Sequence, residues 1–236
     1  MQVSSNDIYL NGEYFKNNPG WDVQDASWKV AIIHELLQKN RIQPADVIEV
    51  GCGAGANLVE LAKADSNIKK LSGYDISPQA IELALKNSTE RIGYFNKDLL
   101  EENEVSADLL LVIDVVEHVD DYYGFLRKLK TKAHHFVFHI PLDVSGRTVM
   151  KPHVTLQQRQ SVGHIHYFTK EMVDWALQDT GYTIIDWVYT KPIVDIAPAD
   201  SFKRWVKKIL RNFSFAINKD WSVKKWGGYS IMILAK

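Results

Sequence analysis

The stretch Val47-Ile48-Glu49-Val50-Gly51-Cys52-Gly53-Ala54-Gly55-Ala56-Asn57 decides the fold. An apolar run carries an acid near its end, and a glycine then stands at every second position. Apolar positions resume at Leu58, Val59, Leu61 and Ala62. This reads as a buried strand, a tight glycine turn and a helix start. Glycines in such a turn let the backbone approach a ligand, and the helix N-terminus offers free N–H groups. Two cofactor classes use this arrangement, dinucleotides and S-adenosylmethionine. Glu49 helps separate them, because a carboxylate is a poor neighbour for a pyrophosphate and a good one for a cation.

Strand-like and helix-like segments alternate outward from this turn. Ser27 to Lys39 has helical spacing of Val30, Ile33, Leu36 and Leu37. Leu71–Asp75 and Gly93–Phe95 read as strands, and Ser77-Pro78 opens a helix with proline at its favoured first position. The apolar run Asp108–Asp114 is a fourth strand, Tyr122–Leu129 a helix and Phe136–Ile140 a fifth strand. Alternation of this kind implies a parallel sheet covered by helices, with the ligand at the carboxyl ends of the strands. Leu142 to Tyr167 reads as a long polar loop and Thr169–Thr180 as a helix. Tyr182–Tyr189 and Tyr229–Ala235 read as two last strands separated by an insertion.

With 236 residues and a net charge of −1, the chain can bury one full core and carries no global nucleic-acid signature. Cys52 is the single cysteine, which excludes an internal disulfide and fits a reducing compartment. It reads as a small filler of the turn rather than a reactive thiol. Met1 to Leu10 is polar and lacks the apolar core of a signal peptide, and no apolar run is long enough to span a bilayer. The expectation is a soluble cytoplasmic protein. The one strong charge asymmetry lies between Ser201 and Trp226, where eight basic residues face one acid, Asp220. There Phe202, Trp205, Val206, Ile209, Leu210 and Phe213 follow helical spacing, an amphipathic helix with a basic outer face.

Four acids fall near the ends of the first four strands: Glu49, Asp75, Asp98 and Asp114. Asp75 follows Gly51 by about two dozen residues, the spacing at which an acid accepts both ribose hydroxyls of a nucleoside. Taken together these segments resemble a class I S-adenosylmethionine-dependent methyltransferase, similar to the ubiquinone-biosynthesis O-methyltransferase-like group with type 11 or type 23 methyltransferase domains. The resemblance covers roughly Val47 to Gly181. EVGCGAGAN resembles the first motif, with Glu49, Gly51, Gly53 and Gly55 at the cofactor. GYDISPQAIELA resembles the second, in which Asp75, with Ile76, would meet the ribose. NKDLL supplies Asp98, with Leu99, for the adenine amino group, and LLLVIDVVEHVDD places Asp114 beside the cofactor.

The resemblance implies an α/β fold, a Rossmann-like doubly wound, mostly parallel seven-stranded sheet. Its last strand would be antiparallel, with a helical insertion before it. We expect one methyltransferase domain over 1–236, with a helical cap or lid over 1–40 containing Tyr14, Phe15, Trp21 and Trp28, and a basic insertion over 191–227. A dinucleotide reading stays open, because Gly51-x-Gly53-x-x-Ala56 with Asp75 fits the loose fingerprint. A catalytically dead cofactor-binding module is a further alternative.

Methyl transfer is an in-line displacement on a sulfonium carbon, so alignment is the protein's main task. A hydroxyl acceptor also needs its proton removed. His118 is the candidate base, with Glu117 beside it; organisation of the next helix's first turn is the competing role for both. Asp114, Glu117 and His118 have i, i+3, i+4 spacing and would share a face if the segment turned helically. His164 and His166 precede the helix at Thr169. Small-RNA 2′-O-methyltransferases and ubiquinone-biosynthesis O-methyltransferases carry a similar acid-x-x-Glu-His run and a later histidine, and in some members these bind a divalent metal. Aligning on Thr169 puts His164 at that position, and Asp114 stands where a Glu is usual. Many relatives with such a pair lack metal, so no metal ligand is assigned; His164 joins His118 and Glu117 as a candidate catalytic residue, with lining of the substrate pocket as its alternative role. His139 could reach the crevice, while His134 and His135 would be solvated and His34 partly buried.

The acceptor is expected to be a small-molecule hydroxyl, with RNA or protein as runner-up and no stable nucleic-acid partner. The helix Ser201–Ile217 is expected to pack its apolar stripe over the substrate side as a lid. Its alternative role is contact with a membrane surface or another anionic acceptor.

Overall fold

The computed structural model describes residues 9, 12–18, 20–21, 23–151 and 153–236. Much of the opening Met1–Leu10 segment, and parts of the 1–40 cap, therefore lie outside the described residues. Seven strands form one sheet: β1 (Asp46–Val50), β2 (Lys70–Asp75), β3 (Ile92–Asn96), β4 (Ala107–Ile113), β5 (Ala133–Leu142), β6 (Ile184–Thr190) and β7 (Tyr229–Ala235). Their order is β3-β2-β1-β4-β5-β7-β6, and β7 runs antiparallel to both its neighbours. The first five strands are parallel in the order their helical crossovers require. β4 is apolar from Leu109 onward because both its faces are covered there. Leu109, Leu110, Leu111 and Val112 are fully buried, alternating between two hydrophobic cores on opposite sides of the sheet.

Local chemistry sets the boundaries near the crevice. Gly55 caps the helix Ala56–Ala64 in the left-handed region, at φ 79°, which favours glycine. A Cβ there would stand 2.4 Å from the Tyr94 ring, whose hydroxyl donates to the Gly55 carbonyl at 3.0 Å. Ser77 accepts from the Ala80 N–H and opens the helix Pro78–Ala84. Asp121 does the same for Tyr122–Leu129 by accepting from Gly124.

Three expectations are corrected. Leu142–Tyr167 is not a plain polar loop. β5 extends to Leu142, and helices follow at Gly146–Met150 and His153–Ser161. The first is set by a reciprocal cap between Ser145 and Thr148. The second buries no side chain, so no apolar period announces it; it is tied down through Gln158 donating to Asp143 and Tyr167 donating to the Thr155 carbonyl. β5 also begins at Ala133, earlier than the apolar run, so His134 and His135 lie on the strand.

The third correction concerns the insertion. The helix Phe202–Ile217 forms, flanked by Pro192–Asp195 and Lys219–Trp226, but its apolar stripe does not pack on the domain. Phe202, Trp205, Ile209, Leu210 and Phe213 are 47–79 % exposed, so the expected lid contact is absent. The buried residue is Arg211, which donates to the carbonyls of Gly227 and Trp226. These carbonyls lie just before β7, where no strand partner serves them, and a guanidinium satisfies both.

Candidate functional site

A cavity of about 680 Å³ opens along the carboxyl ends of β1, β2 and β4. Gly51, Gly53, Asp75, Ile76, Asp98, Leu99 and Asp114 line it, as do Glu117, His118 and His164. The sheet therefore gathers residues from five separate segments at one edge. Glu49 and Gly55 stand behind the lining. Glu49 is buried, its Oε1 accepts from the Asn57 side chain at 2.7 Å, and its Oε2 has no partner. Burial pushes its pKa up to about 8, against the pull of Asn57 and Lys29.

At the end of β2, Asp75 anchors the glycine turn. Its Oδ2 accepts from the Gly53 N–H and its Oδ1 from the Ser77 N–H, both at 2.8 Å. Each oxygen keeps a further lone pair for a hydroxyl. Burial raises its pKa, and the two N–H groups oppose that rise. Asp98 is exposed at the rim, where it caps a short turn by accepting from Leu100.

Asp114 is drawn elsewhere than its spacing suggested. Only Val116–His118 makes a turn, of the 3-10 kind, and Asp114 stands before it with φ 54°. One carboxylate oxygen meets His139 Nδ1 at 2.7 Å and the other meets Lys29 at 2.8 Å. Burial would raise the Asp114 pKa, but His139 and Lys29 outweigh it and hold the carboxyl well below its ordinary range. Asp114 thus leaves the Glu117–His118 face. His139 does not line the cavity as expected; it is buried behind Asp114, and its Nε2 meets Thr190 at 2.9 Å.

Lys29 is a site residue that the sequence reading missed. It sits in the helix Ala26–Lys39, lines the cavity and is buried between Asp25, at 3.1 Å, and Asp114. Those two carboxylates raise its pKa despite the opposing burial. A lysine one position from the apolar Val30 was the available signal, but its partners are distant in sequence. Tyr9, Tyr14 and Trp21 also line the cavity, and the Tyr9 ring meets the edge of His118 at 5.9 Å between centroids.

The Glu117–His118 end of the cavity is built from two segments stitched by backbone. The N–H groups of Ile165 and His166 both bond the Glu117 carbonyl, at 3.0 and 3.1 Å. His118 Nδ1–H donates to the Gly163 carbonyl at 3.0 Å, and His164 Nδ1–H donates to Asp143 at 2.8 Å. Both rings thereby keep Nε2 bare. His166 turns away to the Val119 carbonyl. Asp143, buried, was not foreseen; it lay inside the supposed loop. Burial and the neighbouring His164 push the His118 pKa down to about 4, so the ring is neutral. Glu117 is fully buried, neither of its oxygens has a hydrogen-bond partner among the described residues, and burial, reinforced by Asp114, raises its pKa well above the ordinary range.

One ligand atom from each of Glu117, His118 and His164 lies within 4.8 Å of the others. A free carboxylate with two bare imidazole nitrogens, one imidazole held by a carboxylate behind it, is a donor set suited to a divalent transition metal. The residues fit such an ion.

Comparison with known proteins agrees with this geometry. Residues 24–186 match the family described as a methyltransferase domain. A putative protein N5-glutamine methyltransferase of Methanocaldococcus jannaschii is 34% identical over 101 residues, 38% of this chain and 50% of that protein. The ubiquinone biosynthesis O-methyltransferase of Rickettsia bellii (strain OSU 85-389) is 28% identical over 94 residues, 38% of each chain. The chain thus spans half or less of the length of these curated relatives. The magnesium protoporphyrin IX methyltransferase of Synechocystis PCC 6803, solved with bound SAH, superposes with a TM-score of 0.59 at 17% identity, over 89% of this chain and 82% of that one. The strand order with its antiparallel β7, the glycine turn anchored by Asp75 and the family match over most of the chain lead to one assignment: this chain belongs to the methyltransferase domain family, with the class I fold that takes S-adenosylmethionine as cofactor.

Proposed function

We propose that this protein transfers the methyl group of S-adenosylmethionine to a hydroxyl of a small-molecule acceptor. The observation that carries this reading is the cluster of Glu117, His118 and His164 in the same cavity as Asp75 and Asp98. Asp75 and Asp98 would hold the nucleoside, and Lys29, at the crevice floor, would meet the cofactor's carboxylate. The relatives act by their names on a protein glutamine, on a ubiquinone precursor pathway and on a metalloporphyrin, so the acceptor class rests on the site itself. A partly enclosed cavity of about 680 Å³, with aromatic rings over it, suits a small acceptor better than a folded macromolecule.

In the transfer, the acceptor oxygen forms a bond to the methyl carbon as the carbon–sulfur bond breaks. The bonding pair stays on sulfur, giving a neutral thioether, and the hydroxyl proton must leave. His118 Nε2 is bare and accepts a hydrogen bond from the hydroxyl. With a pKa near 4 the ring is a weak base alone. Glu117, 3.9 Å from that nitrogen, is the second group within reach of the proton, and burial raises its affinity for one. His164, oriented by Asp143, completes the hydrogen-bonding wall. His118→Ala should lower turnover by about 10²–10⁴-fold and leave cofactor affinity unchanged. Equal loss of cofactor binding would assign His118 a structural role and overturn the reading.

A second reading is favoured by the two Glu117 oxygens, which have no partner among the described residues, because a fully buried carboxyl without hydrogen bonds is costly. Glu117, His118 and His164 would hold a divalent cation there, which would supply Lewis-acid activation of the acceptor hydroxyl. Under this reading chelation abolishes activity and Mn²⁺ restores it; full activity in chelator removes it.

A further inference from the structure

We propose that the helix Phe202–Ile217 docks this protein onto an anionic lipid surface through its outward-facing apolar stripe. The helix is mounted inside out. Its polar side meets the domain: Arg211 bonds backbone carbonyls, Ser214 pairs with Ser222, and Asn212 accepts from Lys191. Phe215 alone of its aromatic rings packs inward, stacked on Tyr229 at 5.5 Å. The opposite side carries Phe202, Trp205, Ile209, Leu210, Phe213 and Ile217, each 47–79 % exposed. Consecutive members are spaced one, three or four residues apart, so they form one continuous face. An exposed apolar face of this extent marks a contact site rather than ordinary surface.

Charge identifies what covers it. Phe202–Ile217 contains no acid. Arg211 is buried on carbonyls and Arg204 pairs with Asp200. Lys203, Lys207 and Lys208 flank the stripe, and among the described residues none has a carboxylate within ion-pair distance. Apolar and aromatic side chains with lysines at their margins are the pattern of a helix lying in a membrane interface, where the lysines reach headgroup phosphates. A second copy of this chain fits poorly. Two-fold pairing would set the same lysines against each other around one patch with no acid on the helix to neutralise them.

The position suits an enzyme working at a surface. Thr190 ends β6 opposite Ser230, and Tyr229 starts β7 opposite Leu142, so the insertion leaves the sheet at the carboxyl ends of the parallel strands. The cavity opens at that same edge. No helix among the described residues is long and apolar enough to cross a membrane, which leaves surface attachment as the mode of contact.

Co-sedimentation with vesicles tests this, using phosphatidylcholine alone and phosphatidylcholine with one quarter phosphatidylglycerol, at low and high salt. Binding should require the anionic lipid and weaken as salt rises. Trp205→Glu should abolish it, and Phe213→Glu should do so independently should the first variant fold poorly, as judged by circular dichroism. Lys203→Gln with Lys207→Gln should weaken it by about 25-fold, roughly fivefold for each charge. Failure of the full chain to bind anionic vesicles at low salt overturns the proposal, and so does undiminished binding by both glutamate variants. A concentration-dependent dimer in sedimentation velocity, dissociated by Trp205→Glu, would overturn it in favour of a second copy as the cover.

Discussion

Replacing Asp75 tests the cofactor end of the site most directly. Asp75 lines the cavity, its carboxylate oxygens accept the Gly53 and Ser77 N–H groups at 2.8 Å, and each has acceptor capacity left. In Asp75→Ala the ribose loses a charged acceptor for two hydroxyls, a loss of about 2–3 kcal/mol. That corresponds to a dissociation constant raised roughly 30- to 150-fold. The same change strips two backbone N–H groups of their acceptor, which costs folding stability of order 1–3 kcal/mol where water does not replace it. Asp75→Asn separates the two effects. It keeps one acceptor oxygen but turns an amide N–H₂ toward a backbone N–H, so it should bind more weakly than the wild type while losing less stability than alanine. Isothermal titration with S-adenosylmethionine, beside urea denaturation of each variant, measures both quantities. Wild-type affinity in a folded Asp75→Ala protein would refute the ribose role. A wild-type chain that ignored S-adenosylmethionine and bound NAD tightly would refute the cofactor assignment itself.

Three other perturbations follow from the geometry. Gly55→Ala places a Cβ at φ 79° and 2.4 Å from the Tyr94 ring, so it should destabilise the fold by about 1–3 kcal/mol in urea denaturation; an unchanged midpoint would mean the turn relaxes freely. Asp143→Asn removes the charged acceptor that fixes His164, and activity should fall about 10- to 100-fold with cofactor affinity intact; unchanged turnover would free His164 from the chemistry. Glu49 has a folded pKa raised to about 8, against roughly 4.3 when unfolded. A raised pKa gives its stabilising share in full below the unfolded value and loses it as pH climbs toward 8. Glu49→Gln should therefore flatten the stability profile between those limits by up to about 1.4 kcal/mol per pH unit, and profiles that run parallel in denaturation at pH 5 to 8 would contradict the burial argument.

The convergence of the glycine turn and the strand-end acids on one cavity was legible because it is local. A glycine turn, an acid at the next strand's end and an acid after the third strand are each specified within a few residues, and the parallel sheet converges them. Gly51, Gly53, Asp75, Asp98 and Asp114 consequently meet at one edge. The cluster of Glu117, His118 and His164 depends on contacts distant in sequence. Asp143 serves His164 across 21 residues and Lys29 reaches Asp114 across the domain, so neither role is written in a spacing. Spacing also misled at Asp114. The i, i+3, i+4 pattern presumes a helix from Asp114 onward, whereas the chain leaves β4 with a left-handed residue whose carboxylate is claimed by His139 and Lys29. The two helices within Leu142–Tyr167 escaped notice for a related reason: they are held by caps and side-chain hydrogen bonds, and they bury almost nothing apolar.

The insertion shows a different limit. A helical period divides Phe202–Ile217 into an apolar and a polar face with certainty, but assigning the apolar face to the interior is a second step that rests on burial alone. Here a competing demand decides the outcome. The carbonyls of Trp226 and Gly227 turn inward before β7 and need donors, and Arg211 supplies them from a buried position. Leaving those acceptors unserved would cost about 1–3 kcal/mol each, with more at stake for the guanidinium should it lose its partners. Phe215 on the same side adds its packing against Tyr189 and Tyr229, which fixes the helix's rotation. The apolar stripe is then outward by geometry, not by preference. A fold that holds six large apolar side chains in that orientation is stable in water only at the expense of their burial, and that expense is recovered when the face meets an apolar phase.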